Sequence, residues 1–272
     1  MFKKNILIVF LVSLLLLLVA CGINKDDMSN NVTTVTPTTL KQSSQKPSPS
    51  SLLSYDLNKA SYSDKDIKIS YPQISNLDDT DKEKTINEMI KVEALKVLSS
   101  YDDVSTLTLN VDYSIKWSGE NLLSIQYIGS GYVENGAYPN NIFYTTNIDI
   151  NKGVKIKLKD LFNIDEEFIQ KFKEGKYTIF DSELDVENEA RKEVDKFSNT
   201  ELVEFFNNAD DIILGNELSV FSYFTKDSLG ISVSVPHAIG DHAEFEINYQ
   251  DIFNKTNAEN EVWKDFFGII NK

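Results

Sequence analysis

The sequence predicts an α+β fold built from two small units, each an antiparallel sheet with packed helices. Three observations predict it. Apolar residues alternate along several segments, as in half-buried strands. Other segments repeat apolar residues every three or four positions, as in amphipathic helices. The order of strand, helix and antiparallel strands occurs in both halves of the chain, and we expect the boundary near residue 152.

The first unit, residues 55–152, begins with an alternating strand over 66–71 that stops at Pro72. A helix follows, capped by Asp78, Asp79 or Thr80. Its apolar face comprises Ile86, Ile90, Ala94, Val97, Leu98 and Tyr101. Strict alternation over 107–117 predicts a long strand, the turn 118–121 returns it, and further strands begin at 123 and 142.

The second unit, residues 153–272, starts with a short strand at Val154, Ile156 and Leu158, with Lys155, Lys157 and Lys159 expected to face solvent. Helices are predicted at about 165–172, 186–197 and 200–207. Strands are predicted at 218–224, 231–235 and 243–249, and a closing helix at 260–270.

The N-terminus has the pattern of a lipoprotein signal peptide. Lys3 and Lys4 precede an apolar run that ends in Leu18-Val19-Ala20-Cys21. The run is shorter than the ~20 residues of a spanning helix. The last four residues resemble a lipobox, which implies cleavage after residue 20 and diacylation of the Cys21 thiol, although an uncleaved signal anchor is the alternative. Residues 21–54 are rich in Ser, Thr and Pro and are expected to form a flexible tether. The predicted location is therefore the extracytoplasmic face of the cell membrane.

Composition limits the classes of partner. The chain carries a net charge of −15, which argues against nucleic acid as a partner because phosphate binding needs clustered Lys and Arg. An acidic surface attracts cationic partners, although it also serves solubility alone. Cys21 is the single cysteine, so a disulfide within the chain is excluded.

Two stretches resemble a known family. The first runs from Tyr132 to Asn140 and on through Asp149 to Phe162, and the second covers 235–240 and 244–247. They are similar to the paired extracytoplasmic domains of unknown function found in the lysozyme-sensing anti-sigma factor RsiV and ahead of the catalytic domain of the peptidoglycan deacetylase PdaC. Tyr138 stands where the pattern has His, and Asn135 where it has Gly. The resemblance implies a shared sensor or binding module; we expect neither the sigma-binding segment nor the deacetylase domain.

The loop 134–141 is the strongest candidate for ligand binding. It places Asn135, Tyr138 and Asn140 between two apolar strands, and Gly136 is expected to supply a positive φ. Tyr138 offers an amphipathic surface for a sugar or a protein. A turn that only fixes strand register is the alternative reading.

The two histidines are the weaker candidates. His237 and His242 lie five residues apart near acidic residues, a set that could hold a divalent metal ion if the side chains converged. Alternatively, Pro236 and Gly240 only shape a loop between strands. No nucleophile motif or phosphate loop is recognisable, so we predict no catalytic residue, no cofactor and no enzymatic activity.

These observations predict a non-enzymatic cell-surface lipoprotein. It would bind or sense a cell-wall component, such as peptidoglycan, or a cationic lysozyme-like protein. Two alternatives stay open: a metal-dependent peptidoglycan-modifying enzyme that uses His237 and His242, and a structural lipoprotein that docks on a membrane partner.

Overall fold

Two sheets organise the fold, and their strands and helices confirm the predicted α+β class. A computed structural model of the protein describes residues 53–178, 185–213, 215, 218–266 and 268. The described residues form one compact unit. The predicted signal peptide, tether and Cys21 lie outside the described residues. None of the described helices is long and apolar enough to cross a membrane.

The first sheet has six strands in sequence order, β1-β2-β3-β4-β5-β6. Neighbours are antiparallel except β2 and β3, which are parallel because α1 connects them as a crossover. The strands are β1 Asp56–Asp64, β2 Ile67–Ser75, β3 Leu107–Ser118, β4 Leu122–Val133, β5 Asn140–Asp149 and β6 Val154–Ile156.

The second sheet has four antiparallel strands in the order β7-β10-β9-β8. They are β7 Lys176–Thr178, β8 Val220–Phe224, β9 Ser228–Ser234 and β10 His242–Asn248. A loop over 235–241 joins β9 to β10, and one over 134–139 joins β4 to β5 in the first sheet. These two loops carry Asn135, Tyr138 and His237, and the strands that follow them begin with Asn140 and His242.

Side-chain caps mark where several helices begin. Asp79 caps α1 by accepting from the Lys82 amide, and Ser198 forms a capping box with Glu201 at α5. The α-helices are α1 Thr80–Leu95, α2 Leu158–Leu161, α3 Glu166–Lys173, α4 Glu187–Val194, α5 Asn199–Asn207 and α6 Tyr249–Ile252. Short 3-10 helices span Lys96–Ser100, Val104–Thr106, His237–Ile239, Phe253–Lys255 and Glu261–Asp265.

Helices cover the outer face of each sheet. The apolar face of α1 contributes Ile86 and Ile90 to a core shared with Ile125 of β4 and Ile148 of β5, all of them fully buried. Aromatic rings pack α3 and α5 onto the second sheet, since Phe172 meets Phe206 and Phe245 edge-on. Burial of these faces is the main source of stability.

Buried hydrogen bonds cross the interface between the two sheets. Asn147 of β5 donates to the Ser222 carbonyl of β8 at 2.9 Å, and the Ser124 hydroxyl accepts from the Phe224 amide at 2.9 Å. Asp210 is fully buried beside them and accepts from the Ser222 amide at 2.6 Å and the Leu158 amide at 2.8 Å. These bonds fix the orientation of the sheets, because a misplaced sheet would leave buried polar groups unsatisfied.

Both ends of the described chain meet at the turn between β3 and β4. The Tyr55 hydroxyl donates to the Gly119 carbonyl at 3.0 Å. Near the C-terminus, the Asp265 carboxylate accepts from the Asn121 side-chain amide at 2.6 Å and from the Leu122 amide at 3.0 Å. The turn is therefore held from both ends of the chain.

Several elements differ from their predictions. β1 and β7 were not expected, and β2 continues through Pro72, which lies beyond Ile69, where the pairing with β3 ends. The predicted helix over 260–270 is a 3-10 helix, Glu261–Asp265, and Ile270 lies outside the described residues.

Of the three lysines expected to face solvent, Lys159 is exposed, whereas Lys155 and Lys157 are only partly exposed. Both form ion pairs with Asp211, and Lys155 also pairs with Glu93. β6 itself pairs with β5, so residues 154–156 belong to the first sheet. The boundary near residue 152 stays a prediction.

Candidate functional site

The loop between β4 and β5 is a tight turn held by its own backbone. The Gly136 amide donates to the Val133 carbonyl at 2.8 Å, and the Tyr132 hydroxyl donates to the Gly136 carbonyl at 3.3 Å. Asn135 has the positive φ, 66°, so the expectation that Gly136 supplies it is wrong. Asn tolerates this left-handed conformation better than most residues, which explains why the turn forms without Gly at position 135.

The loop between β9 and β10 is shaped by its backbone, as Pro236 and Gly240 predict. A 3-10 helix over His237–Ile239 follows Pro236, and Gly240 and Asp241 take positive φ values of 108° and 67°. The Val235 amide closes the loop by donating to the Asp241 carbonyl at 3.0 Å. This path brings the Asp241 side chain back toward His237.

The two loops meet through an aromatic stack. The rings of Tyr138 and His237 are parallel within 4°, with centroids 3.8 Å apart. The Asp241 carboxylate lies 2.9 Å from His237 Nδ1 and accepts from the Asn141 amide at 2.7 Å. One carboxylate thus fixes the histidine ring and attaches its loop to β5. Tyr138 stays 52 % exposed, so much of its ring is open to a partner.

The second histidine lies elsewhere. His242 is 6 % exposed, packs on the Phe143 ring at 4.8 Å, and has Nε2 3.7 Å from Glu244 Oε1. Glu244 accepts from Gln126 across the sheet interface at 3.0 Å. His242 is therefore an interior residue, whereas His237 is at the surface. Among the described residues, no group of three or more His, Cys, Asp or Glu side chains could hold a metal ion.

Acidic side chains surround the end of the first sheet that carries the β4–β5 loop. The Glu134 amide donates to the Thr106 carbonyl at 2.9 Å, which places Glu134 beside the segment that enters β3. The β1–β2 turn reaches the same end, because the Leu109 amide donates to the Asp66 carbonyl. Lys65 adds a positive charge there. The exposed acids at this end are Asp64, Asp66, Asp102, Asp103 and Glu134.

A groove of about 340 Å³ lies beside the stack. Asn140, the third predicted ligand-binding residue, lines it at the start of β5, and Asp241 and His242 line it from β10 and its loop. Asn135 is in the neighbouring turn and does not line this groove. The structure therefore brings Tyr138 and His237 into contact and places Asn140 next to them.

Asp241 is the residue that sequence reasoning did not identify as part of the site. The sequence places Asp241 among the acidic residues near the two histidines and gives it no role in joining the loops, whereas in the structure its carboxylate joins them. The available signal was the spacing of four between His237 and Asp241 with Gly240 between them, which allows the chain to fold back. Asn141 lies within the predicted loop 134–141; its backbone amide donates to Asp241 and its side-chain amide donates to the Gly240 carbonyl at 3.4 Å.

Among the known proteins compared with this chain, similar ones were found only among solved structures. No family model and no curated protein matches this sequence. The chain is similar to a crystal structure of a member of the DUF3298 family from Bacteroides fragilis, with 14 % identity and a TM-score of 0.45, covering 79 % of this chain and 98 % of that chain. It is also similar to a DUF3298 family protein from Pseudomonas aeruginosa, with 9 % identity and a TM-score of 0.41, covering 75 % and 93 %. A relation to the anti-sigma factor or the deacetylase stays a prediction.

Proposed function

We propose that this chain is a non-enzymatic binding module of the cell surface whose ligand is a cationic protein of the lysozyme type. The ligand would bind at the tip surface, which we define as Tyr132, Glu134, Tyr138 and His237. The contact between Tyr138 and His237 carries this proposal, because it presents a half-exposed aromatic ring in a fixed orientation. Attachment to the membrane through a lipid on Cys21 is part of the same proposal.

The geometry of the tip surface is suited to protein recognition. Tyrosine contributes a large amphipathic contact at low entropic cost, and such residues often dominate binding energy. Tyr132 projects to the same face as Gln126, since both are at even positions of β4, and Gln126 contacts the second sheet. Tyr138 contacts His237 in a loop of the second sheet, so Tyr132 and Tyr138 are on the same side of the hairpin.

Charge supports a cationic ligand. The whole chain carries −15, and Glu134 stands within the tip surface, with Asp102 and Asp103 in the neighbouring segment. Opposite charge accelerates diffusional encounter at low ionic strength and orients the partner before contact. A basic, compact protein fits this pattern better than a neutral polymer does.

Binding of purified lysozyme to the full chain, measured by biolayer interferometry across a series of NaCl concentrations, tests the proposal. We expect the association rate to fall steeply with salt. We expect Tyr138→Ala to weaken binding by at least about tenfold, which corresponds to about 1.4 kcal/mol. Glu134→Gln should lower the association rate with less effect on dissociation.

Phe253→Ala is the matched control, because Phe253 is an exposed aromatic residue (36 %) remote from the hairpin. It precedes Lys255, which pairs with Asp165 at the start of α3. The control should bind lysozyme as the wild type does. The proposal of a lysozyme-type ligand would be refuted if lysozyme did not bind at low salt. It would also be refuted if Tyr138→Ala and Phe253→Ala lost affinity for lysozyme equally.

A further inference from the structure

The groove beside the tip surface has the dimensions of a small-ligand site. It lies between the start of β5 and strands β8, β9 and β10, and the 3-10 helix Lys96–Ser100 forms another wall. Its volume of about 340 Å³ is at the lower end of the ~300–1,000 Å³ typical of small-molecule pockets. A ligand of one or two sugar rings matches this size.

Both apolar and neutral polar groups line the walls. Val97, Tyr101, Phe143 and Phe221 supply apolar and aromatic surface. Amides and hydroxyls supply the polar part, from Asn140, Asn141, Ser100, Ser219, Ser232 and Ser234. Hydroxyls and carboxamides both donate and accept hydrogen bonds, so together they can satisfy a ligand that carries many hydroxyl groups.

The charges of the groove disfavour an ionic ligand. None of the described lining residues is Lys or Arg, so an anion finds no counter-charge. Asp241 lines the groove, but its carboxylate already accepts from the Asn141 amide and contacts His237 Nδ1. A ligand with polar groups and no net charge therefore fits best.

Two details leave polar groups available to a ligand. The Asn140 side-chain amide is exposed and makes no hydrogen bond with any other described residue. Gly131, which pairs with Asn140 between β4 and β5, allows the Tyr101 hydroxyl to approach, since a Cβ at position 131 would lie 2.3 Å from that oxygen. The phenol is thereby placed at the groove wall, beside the strand pair that carries Asn140.

We propose that this groove binds a neutral sugar of one or two rings, with Asn140 and Tyr101 as hydrogen-bonding residues and Phe143 as part of the apolar wall. This site is separate from the protein ligand proposed above. The two proposals fail independently, because the sugar titration contains no lysozyme.

Titration of the full chain with N,N′-diacetylchitobiose, followed by NMR and calorimetry, tests the proposal. We expect saturable binding with a Kd of about 0.1–10 mM, with shifts at the Asn140 side-chain amide. Asn140→Ala should weaken binding by about fivefold or more. Asn110→Ala, an exposed asparagine of β3, is the control and should stay within about twofold of the wild type.

Glucuronic acid serves as a charged comparison and should bind at least about tenfold more weakly than the neutral disaccharide. The proposal is overturned if the disaccharide does not bind at about 20 mM. It is also overturned if the acid binds as well, or if the two asparagine variants behave alike. Shifts in the unaltered protein locate the ligand even if Asn140→Ala folds poorly.

Discussion

Two aspartates in the same backbone conformation hold two very different regions. Asp210 has a φ of 68° and Asp241 a φ of 67°, and each accepts a hydrogen bond from a backbone amide distant in sequence. The Asp210 side chain is wholly buried between the sheets, whereas Asp241 fixes the exposed stack of His237 on Tyr138. The same local device therefore stabilises the sheet interface in one place and orients a surface in the other.

Asp210→Ala should have the largest effect on stability. It removes the acceptor of the Ser222 and Leu158 amides, and each unsatisfied buried donor costs about 1–3 kcal/mol. Alanine also tolerates the positive φ poorly, at about 1 kcal/mol. We expect the free energy of unfolding, from urea denaturation, to fall by about 3–5 kcal/mol.

Asp210→Asn is the control for that variant. It keeps the shape, one acceptor oxygen and tolerance of the left-handed conformation, so its loss should be smaller. A fall below about 1 kcal/mol in Asp210→Ala would show that the interface does not depend on this carboxylate.

Asp211→Asn should have an intermediate effect that depends on pH. Burial alone would raise the pKa of Asp211, but the ammonium groups of Lys157 and Lys155 outweigh it and lower the pKa from 3.8 to about 2. Because the pKa is lower in the folded state, the charged carboxylate stabilises the fold above about pH 4, and this stabilisation is lost as the pH falls toward 2.

We therefore expect Asp211→Asn to lose about 1–2 kcal/mol at pH 7 and almost nothing at pH 2, relative to the wild type. Urea denaturation at several pH values measures the difference. A difference that stays constant with pH would contradict the assignment of Lys155 and Lys157 as its partners.

Tyr138→Ala should have the smallest effect on stability. Its ring contacts His237 at the surface and is half exposed, so the free energy of unfolding should change by no more than about 0.5 kcal/mol. Thermal and urea denaturation check this expectation. A loss above about 1.5 kcal/mol would mean that the stack serves the fold, and the contrast with Asp210 would disappear.

Local sequence patterns predicted the helices and strands well, but they did not predict which residues contact one another. The α1 helix, its cap at Asp79 and the strands β3 to β5 follow from periodicity and capping residues. β1 was missed because it is an exposed edge strand, with no regular alternation of apolar residues. The contact of Tyr138 with His237 joins different sheets, and periodicity indicates which face a residue is on but not its partner.

The same limit applies to charged residues. Lys155 and Lys157 follow the pattern of an exposed face, and their ion pairs with Asp211 depend on how the segment after α5 returns to β6. The candidate residues Tyr138 and Asn140 were found because Gly, Pro and Asn mark an exposed loop. Asp241 was missed because its role depends on a distant backbone amide.

The Tyr55–Gly119 hydrogen bond determines how far the tip surface lies from the start of the described chain. The described chain starts at the β3–β4 turn, and the tip surface is at the opposite end of β4, which spans Leu122–Val133 and is therefore about 35 Å long. If Cys21 carries the lipid that we propose, the described chain begins at the end of β4 that lies farthest from the aromatic stack. A large soluble protein could then dock from the side facing away from the point of attachment.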